Sequence, residues 1–167
     1  TELLLPENYL LRPMDLGACA AAGIAELPVR RKPTVAVMPT GTELVQIGSP
    51  LKPGDIIEFN SLILGGMVDE WGGSSVTRQP VSDDYDRLKA TIQEAVATSD
   101  IVVINAGSSA GSEDYTASLV EDLGELVVHG AAIRPGHPVI LGVVDGTPVL
   151  GIPGYPVSAA LTCDLFL

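Results

Sequence analysis

Ser109 sits between Gly107 and Gly111, just after the apolar run Ile101-Val102-Val103-Ile104, and the acids Glu113 and Asp114 follow it. Two chemistries use such an arrangement. A serine framed as Gly-x-Ser-x-Gly after a strand has the wording of a nucleophile elbow. A glycine- and serine-rich turn leading into a helix instead cradles an anion, because the helix start offers unpaired N–H groups and a positive dipole end. The hydrolase reading needs an acid and a base: Asp114 or Asp145 with His129 or His137 supplies the order Ser-acid-His. Two features oppose it. An elbow turns into its helix at once, whereas this polar loop runs on to Ser112, and the chain is short for that fold.

Four more segments carry the same residue types. "PTGTEL" holds Thr40, Gly41 and Glu43, and "PVSDDYD" holds Asp83. "IPGYPVSA" holds Pro153, Gly154, Tyr155, Pro156 and Ser158; two prolines around Gly-Tyr stiffen the chain and start a helix, aiming N–H groups at one spot. "IRPGHP" places Arg134 and His137 around a Pro-Gly turn, a seat for an oxyanion. Glu43, Asp83 and Asp114 form an oxygen set suited to Mg²⁺, although Asp83 and Asp114 also stand where helix starts favour acids. Tyr155 offers a face for a flat ring. No Walker-type or Gly-x-Gly-x-x-Gly phosphate loop follows a strand, and His129 and His137 lack the close Cys or His companions of a zinc site.

The elements that position these segments alternate. "TVAVMP", "GDIIEF", "SSVTRQPV", "DIVVINA", "ELVVHGAAI", "PVILGVV" and "TPVLGI" read as strands or strand approaches. Helices are predicted over "LILGGMVDEWG", capped by Asn60 and Ser61, and over "YDRLKATIQEAVATS", capped by Ser82, Asp83 or Asp84. Two more follow, "DYTASLVEDLG" closed by Gly124 and "VSAALTCDLFL" begun by Pro156. Strands alternating with helices of this length predict an α/β domain of three layers, a mostly parallel sheet with helices on both faces. Asp145-Gly146 predicts a hairpin between the last two strands. In such sheets ligands gather at the carboxyl ends of strands, where these segments emerge.

Residues 1–32 differ from the rest. An Ala-rich helix from about Met14 to Ala22 ends at Gly23, and Arg30-Arg31-Lys32 precedes Pro33. We read 1–32 as the end of a preceding domain with a linker, and 33–167 as the α/β domain. Both ends read as cut, so the chain is expected to be a piece of a larger protein.

The net charge of −12 argues against nucleic acid and anionic membranes as partners. It leaves room for a small anion in a locally basic pocket, because salt screens distant charges. Hydrophobic residues at 46% supply a core, and aromatics at 4% leave it to Val, Ile, Leu and Ala. Two cysteines, Cys19 and Cys163, make no disulfide framework and are read as free thiols in a reducing, cytoplasmic setting. No stretch reads as a signal peptide or a membrane span.

"PTGTEL", "NAGSSAGSEDYT", "IRPGHP" and "IPGYPVSAALT", in this order and spacing, resemble the molybdopterin molybdotransferase family, which includes bacterial MoeA and the E domain of gephyrin. The likeness covers residues 33–167. It implies the fold shared with MogA adenylyltransferases, adenylylated molybdopterin and molybdate as substrates, and AMP release with Mg²⁺. It also implies a homodimer of the full-length protein and a possible MogA-type partner. The family's acids fall on Asp114, Glu43 and Asp83, its loop serine on Ser109, and its pyrophosphate backbone on Gly107, Ser108, Gly111 and Ser112. The chain departs from the family at Ala106-Gly107-Ser108-Ser109, at Arg134 and His137 where lysines are usual, and at Tyr155 where Asn is usual. That marks a divergent MoeA-like branch. A non-catalytic pterin- or nucleotide-binding module of the same fold is the alternative.

Overall fold

The computed structural model describes residues 3–106 and 112–167, without the side chains of 112–114. Contacts divide the chain into two compact units, residues 1–31 and 32–167.

The first unit contains helix α1 (Pro13–Ala21). Proline at its first position fixes the entry, and Asp15 closes it by accepting from the Arg12 backbone N–H at 2.8 Å and the Arg12 side chain at 3.1 Å. The hydrogen bond from Arg12 holds the Asp15 carboxyl below the usual carboxylate range. Gly23, at φ 78°, ends the helix just past Ala21, as predicted.

The second unit is built on strands β1 (Thr34–Pro39), β4 (Ser74–Thr77), β5 (Ile101–Asn105), β6 (Glu125–His129), β7 (Ile140–Val144) and β8 (Thr147–Ile152). They form one sheet in the order β4-β1-β5-β8-β7-β6. β4, β1, β5 and β8 are parallel, and only β7 runs against its neighbours. The β7–β8 hairpin turns through Asp145 (φ 49°) and Gly146 (φ 81°), the two positive values that this two-residue turn requires. Two short strands, β2 (Leu44–Val45) and β3 (Ile56–Ile57), pair in parallel as a separate ribbon that the sequence showed only at its second half.

Side chains alternate across the sheet, so each face collects its own core. Ala36, Met38, Val102 and Ile104 pack against α3 (Tyr85–Thr98) and α4 (Ser112–Leu123), through Leu88, Ile92, Leu119 and Val120. Val35, Val37, Val103 and Ile152 pack against α2 (Asn60–Glu70) and α5 (Pro156–Phe166), through Leu64, Val68, Ala159 and Cys163. The three-layer α/β architecture expected from the sequence is what forms. α3 and α4 are further joined at the surface, where the Tyr85 hydroxyl donates to Asp122 at 2.7 Å and Lys89 lies 3.2 Å from the same oxygen.

Two helix starts differ in how far the sequence predicted them. Asp84 caps α3 by accepting from the Arg87 N–H at 2.9 Å. At α2 the expected caps, Asn60 and Ser61, do not cap. Glu58 takes that task, accepting from the Ser61 N–H at 2.8 Å and from the Ser61 hydroxyl. Asn60 is drawn inward instead, because two carbonyl-type oxygens on other loops compete for its amide. No helix among the described residues is long and apolar enough to cross a membrane.

Candidate functional site

Parallel strands put all their carboxyl ends on one edge of the sheet. β4, β1, β5 and β8 therefore deliver the 80–86, 39–44, 105–106 and 152–159 segments to that edge, in that spatial order. The 133–138 turn joins the same edge between β6 and β7. The connection after β1 leads to α2 on one face, and that after β5 leads to α4 on the other, which opens the crevice expected at such a switch.

Buried amides tie these segments together. Asn105 ends β5 and is 3% exposed. Its carbonyl accepts from the Thr40 N–H at 2.9 Å, and its side-chain Nδ2 donates to the Pro153 carbonyl at 2.8 Å. Asn60 Nδ2 donates both to Asn105 Oδ1 at 2.9 Å and to the Gly154 carbonyl at 2.8 Å. The ends of β1, β5 and β8 and the start of α2 are thus one hydrogen-bonded unit. Sequence reasoning missed both asparagines. Asn60 reads as a helix cap, and the only trace of Asn105 is an amide closing an apolar strand.

On the other side, Thr40 is buried and bridges to Val81, and the Gly41 N–H donates to the Val81 carbonyl at 2.9 Å. Asp83 Oδ2 accepts from the Thr42 N–H at 3.2 Å, and the Asp83 N–H donates to Thr42 Oγ1 at 3.1 Å. This ties the Asp83 segment to the residue before Glu43. Asp83 Oδ1 is buried without a partner. Gly41, at φ 151°, lets the Glu43 carboxylate fold back over it; an added Cβ would stand 3.0 Å from Glu43 Oε2.

A cleft of about 190 Å³ opens beside this frame. Of the expected site residues it takes in Glu43, Gly154, Tyr155 and Pro156, and it adds Leu44, Ile56, Ile57, Phe59 and the two asparagines. Pro153 and Ser158 are buried beneath the bend rather than exposed to it. Arg134 and His137 are exposed and do not line this cleft. Their turn packs on α5, where a Cβ on Gly136 would meet Thr162 Oγ1 at 2.6 Å. His137 Nδ1 is 2.6 Å from the Ala131 carbonyl, so that nitrogen carries a proton.

Gly107, Ser108, Ser109 and Gly111 lie outside the described residues, as do the side chains of Ser112 and Asp114. Among the described residues no three of His, Cys, Asp and Glu gather to hold a metal ion. Glu43 and the unpartnered oxygen of Asp83 are hard donors that suit Mg²⁺, which commonly takes only one or two carboxylates beside phosphate and water. The hydrolase arrangement loses one of its acids. Asp145 sits in the β7–β8 turn, at the opposite end of the sheet from the edge at which β5 ends.

Comparison with known proteins gives a consistent picture. The profile of the family described as "Probable molybdopterin binding domain" matches residues 36–167. Molybdopterin molybdenumtransferase 2 of Mycobacterium tuberculosis is 35% identical over 98% of this chain and 42% of its own length. Molybdopterin molybdenumtransferase of a Nostoc species is 33% identical over 95% of the chain and 37% of its own length. The crystal structure of a molybdopterin biosynthesis MoeA protein from Pyrococcus horikoshii superposes with a TM-score of 0.84 at 44% identity, covering 93% of this chain and 39% of the other. At 15% identity, the tungsten cofactor synthesizing protein MoaB of Pyrococcus furiosus shares the fold, with a TM-score of 0.64. The chain spans about two fifths of the length of the curated relatives it matches.

Proposed function

The chain belongs to the molybdopterin-binding domain family, and on that premise we propose that it is the substrate-holding domain of a molybdenum insertion enzyme. The complete protein would take adenylylated molybdopterin and molybdate, break the phosphoanhydride and release AMP. The observation that carries this reading is the convergence of the Thr40, Asp83, Asn105 and Pro153 segments on one edge, held by the Thr42–Asp83 and Asn60–Asn105 links. Such an edge suits a guest with a flat ring at one end and phosphates at the other.

Each residue has a task set by its chemistry. The backbone N–H groups of Gly107 to Ser112, ahead of α4, hold the pyrophosphate. Asp114, Glu43 and Asp83 would hold Mg²⁺, which supplies neutralising charge to the phosphates when bound. Arg134 and His137, both exposed, attract the molybdate. On the same reading the complete protein is a cytoplasmic homodimer supplied by a MogA-type adenylyltransferase.

The test uses the full-length protein. AMP release from adenylylated molybdopterin is followed in the natural protein and in Asp114→Asn. The variant is expected to lose at least a hundred-fold in rate while its unfolding curve is unchanged. Near-normal turnover removes Asp114 from the chemistry. Tight binding without AMP from the natural protein identifies a non-catalytic module instead.

A further inference from the structure

The connection between β6 and β7 is closed on itself. The Gly130 N–H donates to the Val139 carbonyl at 2.7 Å, the Ala131 N–H donates to the His137 carbonyl at 2.8 Å, and His137 Nδ1 meets the Ala131 carbonyl. These bonds fix the shape of the turn but not the place of its tip on the domain. Arg134, Pro135 and His137 are exposed, and between them Gly136 is buried. Gly136 is where the tip meets the fold, and what it meets is Thr162 on α5.

Both sides of that contact are hard to move. Thr162 is 0% exposed, and its hydroxyl donates to the Ser158 carbonyl at 2.7 Å. That bond holds Oγ1 in one rotamer. The helix does not need it, because the helical ladder already gives the Ser158 carbonyl the Thr162 N–H. Gly136 has φ 106°, a conformation open in practice only to glycine. A Cβ there would also stand 2.6 Å from Thr162 Oγ1 and 3.0 Å from Ile133 Cδ1. Glycine is thus required twice, by the backbone and by the space.

The other end of α5 is fixed as well. The helix begins at the 153–156 bend, where Asn105 Nδ2 holds the Pro153 carbonyl and Asn60 Nδ2 the Gly154 carbonyl, each at 2.8 Å. Thr162 lies less than two helical turns past Pro156, about 9 Å along the axis. α5 is therefore a rigid spacer between the bend and the basic turn.

We propose that Thr162 is a positioning residue: by seating Gly136 it fixes the Arg134–His137 turn at a set distance from the 153–156 bend. The assignment rests on the reading given above, in which this turn attracts molybdate. A misplacement of about 1 Å can cost about 100-fold in rate, so a fixed spacing matters to the reaction although Thr162 touches no reactant.

The experiment compares three variants of the full-length protein with the natural one. Thr162→Val puts a methyl, which needs more room, where the hydroxyl sits; Gly136→Ala adds the excluded Cβ; Thr162→Ser keeps the hydroxyl. AMP release is measured against molybdate and against adenylylated molybdopterin. The KM for molybdate is expected to rise about five-fold in Thr162→Val and at least ten-fold in Gly136→Ala, and to stay within about two-fold in Thr162→Ser. The KM for adenylylated molybdopterin and the rate at saturating molybdate should hold. A loss of rate at unchanged molybdate KM means that Thr162 only supports the fold, and it overturns the proposal. So does a Thr162→Val protein with the natural molybdate KM. Crystal structures of the same proteins separate this inference from the reaction it rests on. If the natural protein never releases AMP in response to molybdate, the proposed reaction falls. The separation of the Arg134 and Gly154 Cα atoms then decides the contact alone: growth in Thr162→Val and Gly136→Ala but not in Thr162→Ser upholds it, and no change in any of them removes it.

Discussion

The two ends of the central sheet are built from the same strands but closed in different ways. At the amino edge the closures run through backbone groups, one half-buried carboxylate and a turn: Asp100 Oδ2 accepts from the Thr34 N–H at 2.7 Å, the Ser74 N–H donates to the Pro33 carbonyl at 2.8 Å, and Asp145-Gly146 turns a hairpin, while Ser99 Oγ stays buried without a partner. At the carboxyl edge the closures run through buried side chains, Thr40, Asn60 and Asn105. Two acceptors there, Asn60 Oδ1 and Asp83 Oδ1, remain buried without partners. The amino edge is closed mainly by backbone groups and a turn, the carboxyl edge by buried side chains that fix its loops in position.

Four substitutions or conditions break or sharpen this contrast. The largest effect is expected from Asn105→Leu. It strips a donor from the Pro153 carbonyl and an acceptor from Asn60, two unmade bonds at about 1–3 kcal/mol each. Urea unfolding should show a loss of about 2–5 kcal/mol, and AMP release by the folded fraction of the full-length protein should fall with it. Gly124→Ala is the counterpart at the amino edge. Its Cβ would stand 2.1 Å from the Val143 carbonyl oxygen, so backbone has to move, at about 1–3 kcal/mol. Here the midpoint should drop while AMP release by the folded fraction of the full-length protein stays.

Gly41→Ala separates position from stability at the carboxyl edge. The φ of 151° costs an L-residue about 1–2 kcal/mol, and the new methyl pushes the Glu43 carboxylate away. AMP release should fall by more than the unfolding curve explains; equal losses would mean Glu43 has no part in the site. The last effect is absent at neutral pH and belongs to neither end. Burial on the inner face of α5 raises the Cys163 thiol from the ordinary 9.0 up to about 12. A raised folded value favours the protonated thiol. Its stabilising contribution is therefore complete below about pH 9 and is lost as pH climbs toward 12. Relative to Cys163→Ala, stability should decline by about 1.4 kcal/mol per pH unit across that window. A flat difference would mean that the thiol is not desolvated.

The sequence was most legible where one local rule decides an element. Leu88, Ile92, Ala95 and Val96 share a helical face and are buried together on α3. Val35 and Val37 alternate with Ala36 and Met38, and the two sets enter opposite cores. It was least legible where a residue had two competing uses. Asn60 has the type and place of a helix cap, and Glu58, which gives no such signal, caps instead. Leu44-Val45 is too short to show a period, so its pairing with Ile56-Ile57 was invisible.

The sequence by itself determined the periodicities, the turn residues and the set of polar segments, because each depends on neighbours within a few positions along the chain. Only the tertiary structure decided which polar groups meet. Asn60 and Asn105 are 45 residues apart, and Asn105 and Pro153 are 48 apart. No local preference couples them. Strand order brings their backbones together, and the cost of leaving a buried amide unpaired then selects the contact.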